Sequence, residues 1–249
     1  MAIALAAVGG LLLGSFFNVV IARLPRGESL ASPGSRCPHC GHAVRPWDNV
    51  PLLSWLVLRG RCRDCGAPIS VRYPLVEALT GALCAAVVVA KGPDEDALLG
   101  LALVLTLVPV TFIDLDHRII PNKILLPSAV AAVAILAATN ADRLPEHLIA
   151  GTAAGAFFLL AVLAYPSGMG MGDVKLAAVL GLYLGQEVAP ALLAALVAGT
   201  LVGGVIIARK GAAEGRKTAV PFGPFLALGA LVGLFAGPEI VDWYRQTFL

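Results

Sequence analysis

Eight long apolar runs, separated by short polar stretches, decide which solvent this chain can fold in. They lie at about 2–22, 75–90, 97–113, 124–139, 147–165, 174–186, 188–208 and 222–241. A helix needs about 20 apolar residues to cross the hydrocarbon core of a bilayer. The runs are apolar throughout and do not alternate with polar faces, which excludes a soluble bundle of amphipathic helices. Only 14% of the residues are charged, against about 25% in a soluble domain. The expected fold is an all-α integral membrane protein with about eight transmembrane helices. The runs at 124–139 and 174–186 are short, so the count holds to within one. The first run has no basic segment ahead of it and no small-residue cleavage site after it, so it reads as a retained helix.

Charge orients the helices. Lys and Arg collect in cytoplasmic loops of membrane proteins. With the N-terminus outside, loop 23–74 lies inside and carries Arg23, Arg26, Arg36, Arg45, Arg59, Arg61, Arg63 and Arg72. Arg118, Lys123, Lys175, Arg209, Lys210, Arg216 and Lys217 then also fall inside. Of the 18 Lys and Arg, only Lys91, Arg143 and Arg245 remain outside. Three segments are expected: a first helix at 1–22, a cytoplasmic loop at 23–74, and a helical bundle at 75–249. The basic loop points to membrane lipid as a partner. No recognition helix or aromatic stacking set points to nucleic acid.

The loop contains "CPHC" at 37–40 and "CRDC" at 62–65, with 21 residues between the pairs. Two C-x2-C knuckles supply four thiolates, the set of a tetrahedral structural zinc site. Cys37, Cys40, Cys62 and Cys65 are the expected ligands, and His39 and His42 are spare. Each pair is followed by Gly, which permits the turn a knuckle needs. A loop this rich in Pro, Trp and Arg cannot build a large core, and metal binding supplies folding free energy. Disulfides are disfavoured in a reducing compartment. Cys84, within an apolar run, reads as packing.

Two polar interruptions carry Asp at the edge of apolar runs: "IDLDHRIIPN" at 113–122 and "GMGMGD" at 168–173. A carboxylate there is costly unless it is paired, hydrated or used. On a helix, Asp114 and Asp116 point to different faces. Only one can face an interior site, and Asp116, followed by His117 and Arg118, reads as the solvated one. Glycines at 168, 170 and 172 leave the backbone bare before Asp173, as close chain approach requires. Two neighbouring carboxyl groups do not both ionise easily, so one can serve as general base and the other as general acid. Such a pair can activate water against a peptide bond without a covalent intermediate. Lys175 either offsets the acidic charge or snorkels to the interface. A proton relay in a transporter is the competing use, but no repeat relates the two halves of the chain.

The chain resembles the type IV prepilin peptidases. The resemblance rests on "GSFFNVVIARLP" at 14–25, the two cysteine pairs, "RYPLVEALTG" at 72–81, "IDLDHRIIPN" and "GMGDVK", in that order and nearly end to end. It implies a membrane aspartic endopeptidase of the bacterial inner membrane. Asp114, seven residues before Pro121, and Asp173 of the G-x-G-D motif take the catalytic positions. The implied substrates are prepilins or pseudopilins of type IV pili and type II secretion, cut after Gly on the cytoplasmic side. The retained cysteines resemble the bifunctional members, which N-methylate the new N-terminus from S-adenosylmethionine. No soluble-type nucleotide loop is visible, so the methyl-donor site is left without residues. Glu77 is open between a functional role and placement by the helix dipole. Asn18, inside the first run, requires a polar partner.

Overall fold

The computed structural model describes residues 1–165, 168–211 and 220–248. Pro166 and Ser167 beside the second polar interruption, and Arg216 and Lys217 of the charge pattern, lie outside the described residues. Nine helices are described: α1 (Ala2–Arg23), α2 (Leu53–Val57), α3 (Arg72–Lys91), α4 (Glu95–His117), α5 (Asn122–Thr139), α6 (Leu144–Ala164), α7 (Met171–Leu184), α8 (Val188–Lys210) and α9 (Gly223–Phe248). All but the short α2 correspond to an apolar run. Among the described residues, seven stretches are long and apolar enough to cross a membrane, with residues 171–210 counted as one. The chain is a multi-pass membrane protein. Large apolar side chains such as Leu12, Val130, Leu160 and Leu201 are exposed, as lipid-facing helix surfaces require.

The chain divides into two compact units, Met1–Ala97 and Leu98–Leu249. In the first, α1 packs along α3 through small residues. A Cβ on Gly10 would stand 2.8 Å from the Thr80 carbonyl oxygen, and one on Gly14 would stand 2.8 Å from Glu77 Cα. Backbones this close gain dispersion contacts that lipid cannot match. Cys84 is buried in the same seam, as packing predicts. Asn18 Nδ2 donates to the Tyr73 carbonyl at 3.1 Å, which supplies the partner that its place in an apolar run required.

In the second unit, α6 packs on α7 and α8 packs on α9, with α5 and α9 also against α7. At 14 residues, α7 rises about 21 Å, short of the roughly 30 Å hydrocarbon core. Most of its residues are buried, so neighbouring helices stand in for lipid along it. A buried polar chain ties three helices together. Thr106 of α4 and Ser128 of α5 lie 2.7 Å apart, and Tyr183 Oη of α7 donates to the Ser128 carbonyl at 2.9 Å. Left unpaired in this surrounding, each of those groups would cost a few kcal/mol.

Candidate active site and metal centre

Both aspartates sit where a helix meets a polar turn. α4 ends one turn after Asp114: Arg118 N–H donates to the Asp114 carbonyl at 2.9 Å, and Arg118 adopts φ 54°. Pro121 follows and cannot continue the helix. The helical phase separates the two acids as expected. Asp114 is 4% exposed, whereas Asp116 is on the exposed side.

α7 starts at the other aspartate. Gly170 is its N-cap, and Asp173 is the third helical residue. Asp173 Oδ2 accepts the Gly170 N–H at 3.1 Å, so the carboxylate satisfies a donor that the helix start leaves open. Asp173 is 8% exposed. The turn after α4 packs against this helix start. A Cβ on Gly172 would stand 3.0 Å from Ile120 Cβ, and Lys175 Nζ donates to Asn122 Oδ1 at 3.1 Å. Lys175 therefore pins α7 to the start of α5.

A third element completes the site, and it was not foreseen from the sequence. Gly223 N–H, at the start of α9, donates to Asp114 Oδ2 at 2.9 Å. A Cβ on Gly223 would stand 2.7 Å from that oxygen. Each aspartate thus accepts a backbone N–H from a glycine at a helix N-terminus, where the helix dipole favours negative charge. The only local signal was "PFGPF" at 221–225, a Gly flanked by Pro and Phe with nothing to name its distant partner.

In the first unit, the loop between α1 and α3 folds around the four cysteines. Their sulfur atoms all lie within 4.8 Å of one another, and Cys37 Sγ is 3.8 Å from Cys65 Sγ. A tetrahedral site with Zn–S bonds of about 2.3 Å has an S–S edge of roughly 3.8 Å, so the set fits a four-thiolate ion. The two knuckles repeat one design. Cys37 N–H donates to the His42 carbonyl and Cys62 N–H to that of Ala67. Gly41 at φ 73° and Gly66 at φ 70° make the turns, as the sequence implied. Backbone N–H groups of Cys40 and His39 hold the Cys37 thiol down to about 6. At Cys40 the His42 backbone N–H favours the thiolate, but burial and the neighbouring sulfurs outweigh it and push the thiol up to about 12. Crowded thiols of this kind ionise together only around a cation. His39 and His42 are not part of the cluster.

Glu77 is 8% exposed and accepts the Leu52 N–H at 2.8 Å. It stands in the second turn of α3, beyond the turn where the dipole acts most strongly. That bond tethers the loop to α3: Leu52, at φ 61°, precedes α2.

Residues 8–91 match the model of the bacterial peptidase A24 N-terminal domain, and residues 101–207 match that of the type IV leader peptidase family. A prepilin leader peptidase/N-methyltransferase of Aeromonas hydrophila is 38% identical, over 96% of this chain and 92% of that protein. Proteins of the same name are 39% identical in Burkholderia pseudomallei strain K96243, over 95% of this chain and 86% of theirs, and 37% identical in Stutzerimonas stutzeri, over 97% and 93%. No solved structure gives a significant match. With both halves matched by family models and relatives aligned along nearly the whole length, the chain belongs to the type IV leader peptidase family.

Proposed function

We propose that this protein removes the basic leader from type IV prepilins or pseudopilins and then N-methylates the exposed N-terminus. Asp114 and Asp173 are the acid and base that activate water at the scissile bond. The observation that supports this reading is the burial of two carboxyl groups at helix ends that meet through Gly172 against Ile120 and Lys175 on Asn122, each oriented by a glycine N–H. The names of the relatives support both activities. The charge pattern supports a cytoplasmic site in the bacterial inner membrane, with loop 23–74 as a cytoplasmic element and 75–249 as the peptidase bundle. The methyl donor is S-adenosylmethionine. Mass spectrometry of a co-expressed prepilin reads both steps at once. Loss of the leader and a gain of one methyl group are expected, and an unprocessed prepilin would refute the reading.

Gly223 positions Asp114 for that chemistry. Gly223→Ala is expected to lower kcat for leader cleavage by about tenfold or more, the cost of displacing a preorganised group, with a smaller change in KM. An unchanged kcat would show that the 2.9 Å contact does not orient the carboxyl group.

The metal is structural Zn2+, bound once per chain by Cys37, Cys40, Cys62 and Cys65. Ser at any one of these is expected to lower the zinc content and to speed proteolysis between about residues 30 and 70. Purified protein with no zinc and two disulfides would remove the assignment.

A further inference from the structure

A cavity of about 520 Å³ opens within the first unit, between the cysteine loop and the adjoining ends of α1 and α3. Its volume falls in the range of roughly 300–1,000 Å³ that holds small-molecule ligands. Asn18, Asp48, Trp55, Tyr73 and Glu77 contribute to its wall. Two of these are carboxylates in very different states. Asp48 is neutralised: Arg63 forks onto it through Nε at 2.9 and 3.0 Å and Nη2 at 2.6 Å. Glu77 is more isolated. It is 8% exposed, and its one hydrogen bond comes from the Leu52 N–H. Neither the Arg63–Asp48 pair nor the Arg45–Asp64 pair at the same cavity involves it. A buried carboxylate with a single neutral donor is costly unless something else satisfies it.

The remaining wall describes what that ligand is. Trp55 is fixed by its Nε1 bond to the Ile69 carbonyl at 3.1 Å, so the indole presents a rigid aromatic surface. Tyr73 adds a second ring at the start of α3. Arg45 borders the space paired with Asp64 at 3.0 Å, and Arg23 and Arg36 border it as well, which disfavours a basic peptide and suits a ligand carboxylate. The complement is a small molecule with an aromatic base, hydroxyl donors, a positive centre and one carboxylate. S-adenosylmethionine has all four: an adenine, a ribose diol, a sulfonium with an ammonium, and a carboxylate.

We propose that this cavity is the methyl-donor site and that Glu77 is its anchoring carboxylate, an assignment that rests on the N-methylation reading above. In the transfer, the neutral α-amine of the processed substrate attacks the S-methyl carbon. A C–N bond forms as the C–S bond breaks. Its electron pair stays on sulfur as a neutral thioether, and the new ammonium gives its proton to water. Asp48, held by Arg63, and Asn18, held to the Tyr73 carbonyl, keep the wall in shape.

The test uses the full-length, zinc-loaded protein in detergent. Ultraviolet cross-linking with tritiated S-adenosylmethionine is followed by peptide mapping, and affinity for S-adenosylhomocysteine is measured by calorimetry. Label is expected on peptides between residues 15 and 77. Glu77→Gln, which keeps an acceptor for the Leu52 N–H, is expected to weaken binding about tenfold, as loss of a charged hydrogen-bond partner does, with zinc content retained. Tyr73→Ala is a second variant, expected to weaken binding without touching Glu77. Label confined to residues 98–249, or binding unchanged in both variants, overturns the site while leaving methylation standing. Wild-type protein that binds neither compound and yields only unmethylated product overturns the methylation reading as well.

Discussion

Asp114→Asn and Asp173→Asn are each expected to reduce leader cleavage by about 10²–10⁴-fold, the contribution of a positioned acid or base, with membrane insertion intact. Asn is close to Asp in shape and can still occupy each glycine N–H contact, so the loss isolates proton transfer from packing. The double variant should be no worse than either single one, because the two groups work as a unit. Asp116→Asn, on the exposed side of α4, should keep most of the wild-type rate. The measurement is the cleavage rate of a co-expressed or purified prepilin. Near wild-type cleavage by either single variant would remove the dyad.

The second large effect separates the two activities. Cys62→Ser is expected to lower the ratio of methylated to unmethylated mature pilin by about tenfold, the lower end of what damage to a metal site's support costs. The comparison is made at matched extents of cleavage. The physical basis is placement: the four cysteines belong to the first unit and both aspartates to the second. Hydrolysis needs two carboxyl groups, a water and a bound peptide. Methyl transfer needs a donor site, which is proposed above to be the cavity beside the cysteines. If the ratio holds while cleavage collapses, the loop serves proteolysis or folding instead.

Features set by near neighbours in the chain were legible before any coordinates. Apolar runs located the long helices because hydrocarbon solvent enforces length and composition together. The knuckles followed from spacing, since each pair and its Gly lie within a few residues. Helical phase allowed only one of Asp114 and Asp116 to face inward, and His117 and Arg118 beside Asp116 marked it as the exposed one. Boundaries were less clear. α7 starts at Met171, earlier than the apolar run at 174, because its first turn is built from Gly and a capping Asp. α9 runs to Phe248, well past 241, through the polar residues of "VDWYRQTF".

Contacts made across the fold left no local trace. Gly223 meets a carboxylate 109 residues away. Glu77 holds an N–H 25 residues earlier, so a reading limited to its own helix turned to the dipole. Asn18 declared a need for a partner but not its identity, because a backbone carbonyl such as that of Tyr73 belongs to every residue type alike.

The seam at Gly10 and Gly14 bears on how the metal site assembles. Because α1 and α3 meet backbone to backbone, the chain entering the cysteine loop and the chain leaving it are tethered by the helix pair itself. Closing a free segment of that length costs conformational entropy that grows as about (3/2)RT ln n, and the helix pair meets this cost in advance. An ion held by the four thiols would then have only to order a segment whose ends are already fixed.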